Sequence, residues 1–308
     1  MRRWLRRGLR GLAMLFVGLT LVACALHISN SGTDDPGPVP DAALRFGTLN
    51  VHYIRMRAET GAWSLADWER RKAPLDAAVK AMGADVIGFQ EMESFGGRSQ
   101  SNTNLTLDYL LQTNPDFAAA AVGDPAVFPS TQPIFYRRDR LRLVDQGWFF
   151  FSDTPDVIYS RTFNGSFPAF ASWARFEPRD GPEFLVINVH FEYSSRSNRL
   201  LSAELVVERL QPVLAEGLPV VLLGDLNARQ GARTQEILAD GAGLTFARVD
   251  GATYHFNRGF NLFGAIDHIG VTPEGRFVSE PTVLRQRFLG EWPTDHYPLV
   301  VDVAFGPG

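Results

Sequence analysis

The chain has 308 residues, 45% of them hydrophobic and 12% aromatic, which is enough to bury a large core and is incompatible with intrinsic disorder. Five of its 30 basic residues (Arg2, Arg3, Arg6, Arg7 and Arg10) fall in the first ten positions, so the rest of the chain carries 25 basic against 34 acidic side chains, a net −9. An acidic body argues against a protein that coats nucleic acid through broad basic surfaces, while leaving room for a cleft with local arginines.

Residues 1–23 read as a signal peptide. The arginines form a basic n-region, and Leu12–Ala23 is an apolar run that is short for a membrane span and suited to an h-region. The run ends in Leu21-Val22-Ala23-Cys24, and Cys24 is the single cysteine of the chain. This resembles the lipobox of bacterial lipoproteins, in which the cysteine is acylated and becomes the mature N-terminus. The competing reading is a buried cysteine in an uncleaved anchor helix. Lipidation implies a protein held in the bacterial cell envelope by a lipid anchor, and Ala25 in place of an aspartate favours the outer membrane. With Cys24 acylated no disulfide can form, so core burial must supply the stability. Residues 24–43 are expected to be a flexible tether, since Ser29–Asp41 carries almost nothing apolar. With no second linker and no internal repeat, residues 44–308 are expected to form one domain and the protein to be a monomer.

The body alternates strands and helices. Leu44–Leu49 is a strand delivering Asn50. Ser64 caps a helix with Leu65, Trp68, Leu75, Val79 and Met82 on its apolar side; Pro74 is expected to kink or restart it and Gly83 to end it. Asp85–Phe89 is a strand delivering Gln90-Glu91, and residues 94–104 read as a mobile loop. Ile134–Tyr136, Leu141–Val144 and Trp148–Phe151 read as strands, and Ser172–Phe176 with Phe184–Val189 as a hairpin around Arg179-Asp180-Gly181. That second arm ends in His190. Asn198 is expected to cap a helix with Leu201, Leu205, Leu210 and Leu214 inward. A doubly buried strand, Val220–Leu223, follows and ends in Gly224-Asp225-Leu226-Asn227. Extended backbone there puts Asp225 and Asn227 on one side, suiting a polar ligand such as a metal-bound phosphate; taken alone, the run reads better as a turn, and the company it keeps along the chain overturns that. Late strands are Ala265–Val271 and Tyr297–Phe305.

Asn50, Glu91, His190, Asp225 and Asn227 thus each stand at or just past the carboxyl end of an apolar strand. Asp267-His268 interrupts another, and Asp295-His296 opens the last. Strand ends from different parts of a sheet can converge on one site. The ordered set Thr48-Leu49-Asn50-Val51, Gly88-Phe89-Gln90-Glu91, Asn188-Val189-His190, Leu223-Gly224-Asp225-Leu226-Asn227, Ala265-Ile266-Asp267-His268-Ile269 and Thr294-Asp295-His296-Tyr297-Pro298 resembles the motifs of the endonuclease/exonuclease/phosphatase superfamily, across residues 44–305. Pro133–Arg137 and Trp148–Pro155 resemble a bacterial branch related to nocturnin-like deadenylases, with Phe151 and His190-Phe191 departing from the usual leucines.

The resemblance implies an α/β (α+β) fold, a four-layer α/β/β/α sandwich of two mixed β-sheets packed face to face with helices outside. It also implies divalent-metal-dependent hydrolysis of a phosphate ester, by a phosphodiesterase, nuclease or phosphatase. Oxygen ligands select Mg²⁺, with Mn²⁺ or Ca²⁺ as substitutes. By the same resemblance Glu91 is the main metal ligand, with Asn50 beside it and Asp295 nearby. Asp225 would deprotonate the attacking water and Asn227 would hydrogen-bond the phosphate or that water. His296, paired with Asp267, would contact phosphoryl oxygens, and His190 would be a second phosphate contact or the acid for the leaving oxygen. His255 is a rim candidate. Nucleic acid, a phospholipid headgroup and a small phosphoester all remain open as substrates. An inactive anchored binding module on the same fold is the alternative, and it would be expected to have lost one of Glu91, Asp225, His190 or His296.

Overall fold

The computed structural model describes residues 2–32, 35–95 and 103–306. Helix α1 (Arg2–Ser29) precedes the body. Its stretch Gly8–Ser29 has 22 residues and a mean hydropathy of 2.2, and none of it is buried, so it is long and apolar enough to cross a membrane. The helix outruns the apolar segment Leu12–Ala23, with Leu9 before it and Ala25, Leu26 and Ile28 after it extending the apolar surface. The segment expected as a free tether touches the body: Arg45 donates from its two terminal nitrogens to the carbonyls of Gly37 and Pro36, each at 3.0 Å.

The body runs β1 (Ala43–Asn50), β2 (Ile54–Arg55), α2 (Leu65–Met82), β3 (Val86–Gln90), β4 (Ser94–Phe95), α3 (Leu105–Thr113), β5 (Phe117–Ala120), β6 (Ile134–Arg137), β7 (Leu141–Phe150), β8 (Phe170–Pro178), β9 (Phe184–His190), α4 (Arg196–Ala215), β10 (Val220–Asp225), α5 (Arg233–Ala242), β11 (Thr245–Phe246), β12 (Asp267–Val271), β13 (Gly275–Phe277), β14 (Thr282–Val283) and β15 (Leu299–Phe305). One sheet has the order β13-β15-β1-β3-β6-β5, with β14 also on β15; the other has the order β11-β12-β10-β9-β8-β7. Both are mixed, with β1 parallel to β3 and β9 parallel to β10 at their centres. Those central strands are buried on both faces; β3 and β10 are apolar until their tips, and the charge of Arg45 inside β1 is met by Asp302 at 2.7 Å.

Three apolar layers make the architecture. Leu44, Phe46 and Val86 of the first sheet pack on Phe184, Val186, Val221 and Leu223 of the second. Val206, Leu210 and Leu238 of α4 and α5 cover the back of the second sheet at Ile187 and Leu222. Leu75, Val79 and Leu110 of α2 and α3 cover the back of the first at Leu49, Ile87 and Phe89. The result is the four-layer sandwich that the resemblance implied. Gly88 sits where the sheets come closest, and a Cβ there would lie 1.9 Å from Leu223. A polar bridge crosses the same gap: Gln90 Nε2 donates to Asn188 Oδ1 at 2.6 Å, and Asn188 Nδ2 donates to the Phe89 carbonyl at 2.8 Å. Buried with complete partners, such a bridge fixes one facing of the sheets.

Local expectations hold at α2, where Ser64 accepts from the Asp67 N–H and Gly83 closes the helix in the left-handed conformation. Pro74 lies inside one unbroken helix rather than restarting it. The two strands expected at 141–144 and 148–151 are one long strand, β7, with a register shift between Leu143 and Asp145. The N-cap of α4 is Ser195, three residues before Asn198, which is buried in the first turn and accepts from the Ser202 hydroxyl. Leu201 lies exposed, while Leu205 and Leu210 face inward. Of the loop expected at 94–104, Ser94–Phe95 pairs with β2, and 96–102 lie outside the described residues.

Candidate active site

The two sheets present strand ends on the same side. Asn50 closes β1 and Glu91 follows β3; His190 closes β9, Asp225 closes β10 and Asp267 opens β12 beside it. Asp225 is paired in register with both His190 and Asp267, so three site residues stand abreast across one sheet. Asn50 reaches across from the other sheet, its Nδ2 donating to Glu91 Oε1 at 3.0 Å and to Asp225 Oδ2 at 3.3 Å. His190 Nε2 lies 3.7 Å from both of those carboxylates. His296 Nδ1 meets Asp267 Oδ2 at 2.9 Å and its Nε2 lies 3.8 Å from Asp225. The Asn227 N–H donates to Asp225 Oδ1 at 2.8 Å, while its side chain donates to the Phe191 carbonyl at 2.9 Å. Asp295 is nearly buried; its carbonyl accepts from the His255 N–H at 2.8 Å and its Oδ1 from the Thr294 hydroxyl at 3.3 Å.

Strain accompanies this convergence. Glu91, Asn227 and His52 hold φ of 54°, 46° and 53°, a left-handed conformation that non-glycine residues seldom adopt and that concentrates at functional sites. Gly224, at φ 141°, turns the β10 tip tightly enough that a Cβ would lie 2.0 Å from the Val189 carbonyl oxygen.

The electrostatics separate the carboxylates. Burial raises the Asp225 carboxyl to about 6, with the Asp267 charge adding to the rise and His296 and His190 opposing it. Burial would also raise Glu91, but His190, His52 and the Asn50 amide outweigh it and hold that carboxyl below its usual range. Burial alone would lower His296; the charge and hydrogen bond of Asp267, with Asp225 and Asp295, prevail and push the imidazole up to about 10.

Two buried carboxylate oxygens, Glu91 Oε2 and Asp267 Oδ1, have no hydrogen-bond partner. Among the described residues one atom each of Asp225, Asp267 and His296 lie within 4.8 Å of one another, a group able to hold a cation. His296 as an imidazolium offers no lone pair, however, so that trio reads as a cation already seated between two carboxylates. The unpartnered Glu91 oxygen has the hard-oxygen chemistry that suits Mg²⁺, Mn²⁺ or Ca²⁺, while Asn50 turns its amide nitrogen to the other Glu91 oxygen and its own oxygen accepts from the His52 N–H at 3.1 Å.

The expected rim residue is placed elsewhere. His255 is fully buried, stacked on Tyr297 at 4.1 Å and tilted against Trp292 at 4.6 Å; burial lowers its imidazole to about 3, so it packs as a neutral ring behind the site. Its neighbour Tyr254 faces the site instead, its ring 5.0 Å from His296. Sequence reasoning also passed over His52, whose Nδ1 is 3.8 Å from Glu91 Oε2 and whose ring stacks on Trp63 at 3.5 Å. The signal was present: His52 stands two after Asn50, the spacing that singled out Asp225 and Asn227. Buried Arg71 fixes this corner by donating to the carbonyls of Val51, His52 and Pro293 at 2.8, 3.0 and 3.2 Å.

Comparison with known proteins agrees with the fold. A mannosyl-6-phosphatase of Bacteroides thetaiotaomicron superposes with a TM-score of 0.71 at 25% identity, covering 85% of this chain and 100% of its own. An endonuclease/exonuclease/phosphatase family protein of Bacteroides vulgatus gives 0.72 at 22%, covering 86% and 99%. The human nocturnin catalytic domain, with bound sulfate, gives 0.61 at 15%, covering 87% and 97%. No curated protein matches the sequence. The profile of the Endonuclease/Exonuclease/phosphatase family matches residues 47–296, most of the body. Members of that family are phosphoesterases, and this chain belongs to it as a phosphoric ester hydrolase.

Proposed function

We propose that the protein hydrolyses phosphate esters with a divalent cation held at Glu91, Asn50 and Asp295, using Asp225 as the base for the attacking water. The observation that carries this reading is the Asp225 carboxylate, buried, oriented by the Asn227 N–H and the Asn50 amide, and 3.7–3.8 Å from two histidines. A carboxyl at about 6 is mostly ionised at neutral pH and close enough to it to accept a proton in the transition state. The bound cation would neutralise phosphoryl charge. His296, held cationic by Asp267, would supply a fixed positive charge to the phosphoryl oxygens, and His190, more exposed, would be a second phosphate contact or the acid for the departing oxygen. Asn227 orients Asp225 through its N–H; its side-chain amide nitrogen is taken by Phe191, leaving the amide oxygen for water. That all four of Glu91, Asp225, His190 and His296 are retained and converge disfavours an inactive binding module.

The chain is further proposed to be a lipoprotein of the bacterial envelope, acylated at Cys24 and anchored in the outer membrane, facing the periplasm or the exterior. Exposure of Cys24 on an apolar helix supports this. The mannosyl-6-phosphatase likeness adds sugar phosphates to the small phosphoesters worth testing. The deciding experiment is a hydrolysis panel over DNA, RNA, phospholipids, sugar phosphates and bis(4-nitrophenyl) phosphate, with Mg²⁺ and with EDTA, for the wild type and Asp225→Asn. We expect turnover only with the cation, and a loss of at least about a hundredfold in kcat in the variant, the usual range for a removed general base. Full activity in EDTA, or in Asp225→Asn, would overturn the mechanism.

A further inference from the structure

We propose that the loop Ala252–Phe263 is an interfacial membrane-binding surface, and that the site works on phosphoesters presented at a lipid surface. This deepens the proposed function, resting on its phosphoesterase and anchoring readings. It starts from how α1 ends. The last turn of the helix and the residues after it are fastened to the body chiefly at Asn261, which is nearly fully buried, with Arg285 also donating to the Gly32 carbonyl at 2.7 Å. The Asn261 N–H donates to His27 Nδ1 at 3.1 Å, and its carbonyl accepts from Asn30 Nδ2 at 3.2 Å. Its side-chain amide donates to the Ser31 hydroxyl at 2.9 Å. A fourth bond, to Asn30 O from the Ala252 N–H at 3.1 Å, closes the other end of the loop on the same helix end. Releasing residues 27–31 would strip a buried asparagine of three partners, so the dock is a specific joint and not a slack tether.

The joint fixes where the anchor lies relative to the site. The remaining Asn261 oxygen accepts from the Tyr297 hydroxyl at 3.1 Å, and Tyr297 follows His296 in the chain. From the other side, the Tyr254 ring lies 5.0 Å from His296, Phe256 4.6 Å from Tyr254, and Phe263 5.6 Å from Phe256. The anchor and the mouth of the site therefore share one loop. The placement does not depend on processing. Whether the apolar helix stays attached or acylated Cys24 becomes the terminus, the anchor stands three residues from His27, about 4.5 Å of helical rise.

The loop surface has the composition of a bilayer interface. Phe256, Phe260 and Phe263 are 36%, 52% and 40% exposed, far more than a ring gains from in water. Ala252–Phe263 contains no acidic residue, although the body as a whole is acidic. Arg258 is exposed among these rings, and the exposed Arg229 guanidinium lies 5.2 Å over Phe263. Aromatic rings with interleaved arginines, next to a helix that is apolar and exposed all round, suit a headgroup region: rings reach the acyl boundary and guanidiniums stay with the phosphates.

The test uses the full chain in vesicles of phosphatidylethanolamine and phosphatidylglycerol, with lipids brominated near the headgroup end of the acyl chain. The emission added by Phe263→Trp, and separately by Phe260→Trp, should shift to the blue and lose about half its intensity, as a ring seated about 5–10 Å into the boundary would. The emission added by Val144→Trp, on an exposed part of β7 away from the loop, should be unaffected. Asn261→Ala should reduce the quenching at position 263 by freeing the joint. Quenching equal at 144 and 263, or absent at both 260 and 263, would overturn the proposal, as would an unchanged signal in Asn261→Ala. Hydrolysis of soluble bis(4-nitrophenyl) phosphate by the same preparations reports on the phosphoesterase reading independently, since that ester needs no membrane.

Discussion

His296 is the residue whose charge the site decides. Its solvent-poor position would keep it neutral, and the Asp267 carboxylate at 2.9 Å reverses that, with Asp225 and Asp295 assisting. Because the folded pKa of about 10 lies above the unfolded value near 6.5, the pair's contribution to stability is fully present below about 6.5 and is lost as pH rises through about 10. The wild type should therefore lose stability across that window more steeply than His296→Asn, read from urea midpoints at a series of pH values; parallel slopes would mean the imidazole is not held cationic. Sequence alone could propose this pair only through the ordered motifs, because Asp267 and His296 are 29 positions apart and meet through pairing that no local pattern encodes. His255 is a rim candidate only through the family resemblance, with a merely structural role as the alternative, and its buried ring takes the structural one; nothing in Thr253-Tyr254-His255-Phe256 says which face is the core.

At the scale of elements, the central strands were the most legible, since β1, β3, β9 and β10 are mostly apolar stretches closed by polar residues. The short helices α3 and α5 were missed. Residues 105–113 lie past a polar stretch, and α5 has Ala232 at its N-cap with no side-chain cap hydrogen bond, so the usual start signal is lacking. The bulge in β7 split one strand into two because the apolar pattern breaks where the register shifts. The element on which the site depends most is the β10 tip. Gly224 holds a φ of 141° against β9, and a methyl group there would collide with the Val189 carbonyl oxygen at 2.0 Å. Gly224→Ala should cost at least about 2 kcal/mol through forced backbone movement. Since β9 and β10 carry His190 and Asp225 abreast, activity should fall even at temperatures where the variant is folded. A variant with unchanged melting temperature and turnover would show that the tip conformation is not required.

At the scale of the molecule, the site straddles the seam between two sheets: Asn50 and Glu91 come from one, His190, Asp225 and Asp267 from the other. Facing carboxylates at a seam repel; around Glu91 the Asn50 amide with His190 and His52 outweighs the opposing effects, while Asp225 stays raised. Glu91 Oε2 is buried without a partner, so the fold carries an unsatisfied anionic oxygen at its central joint. A divalent cation taken there would bind the folded chain and not the unfolded one, and so would stabilise it by mass action, by about 2.7 kcal/mol at a hundred times its dissociation constant. A kcal/mol moves the melting temperature of large domains by about 2–4 °C, so saturating Mg²⁺ should raise it by several degrees. Glu91→Gln keeps the shape but removes the charge, and with it the attraction of His190, His52 and the Asn50 amide that outweighs burial and holds this carboxyl below its usual range. Its melting temperature without metal should therefore equal or fall slightly below that of the wild type near neutral pH, and the increment with Mg²⁺ should vanish. An equal increment in wild type and Glu91→Gln would place the cation elsewhere, with the Asp225, Asp267 and His296 trio as the next ligand set to test.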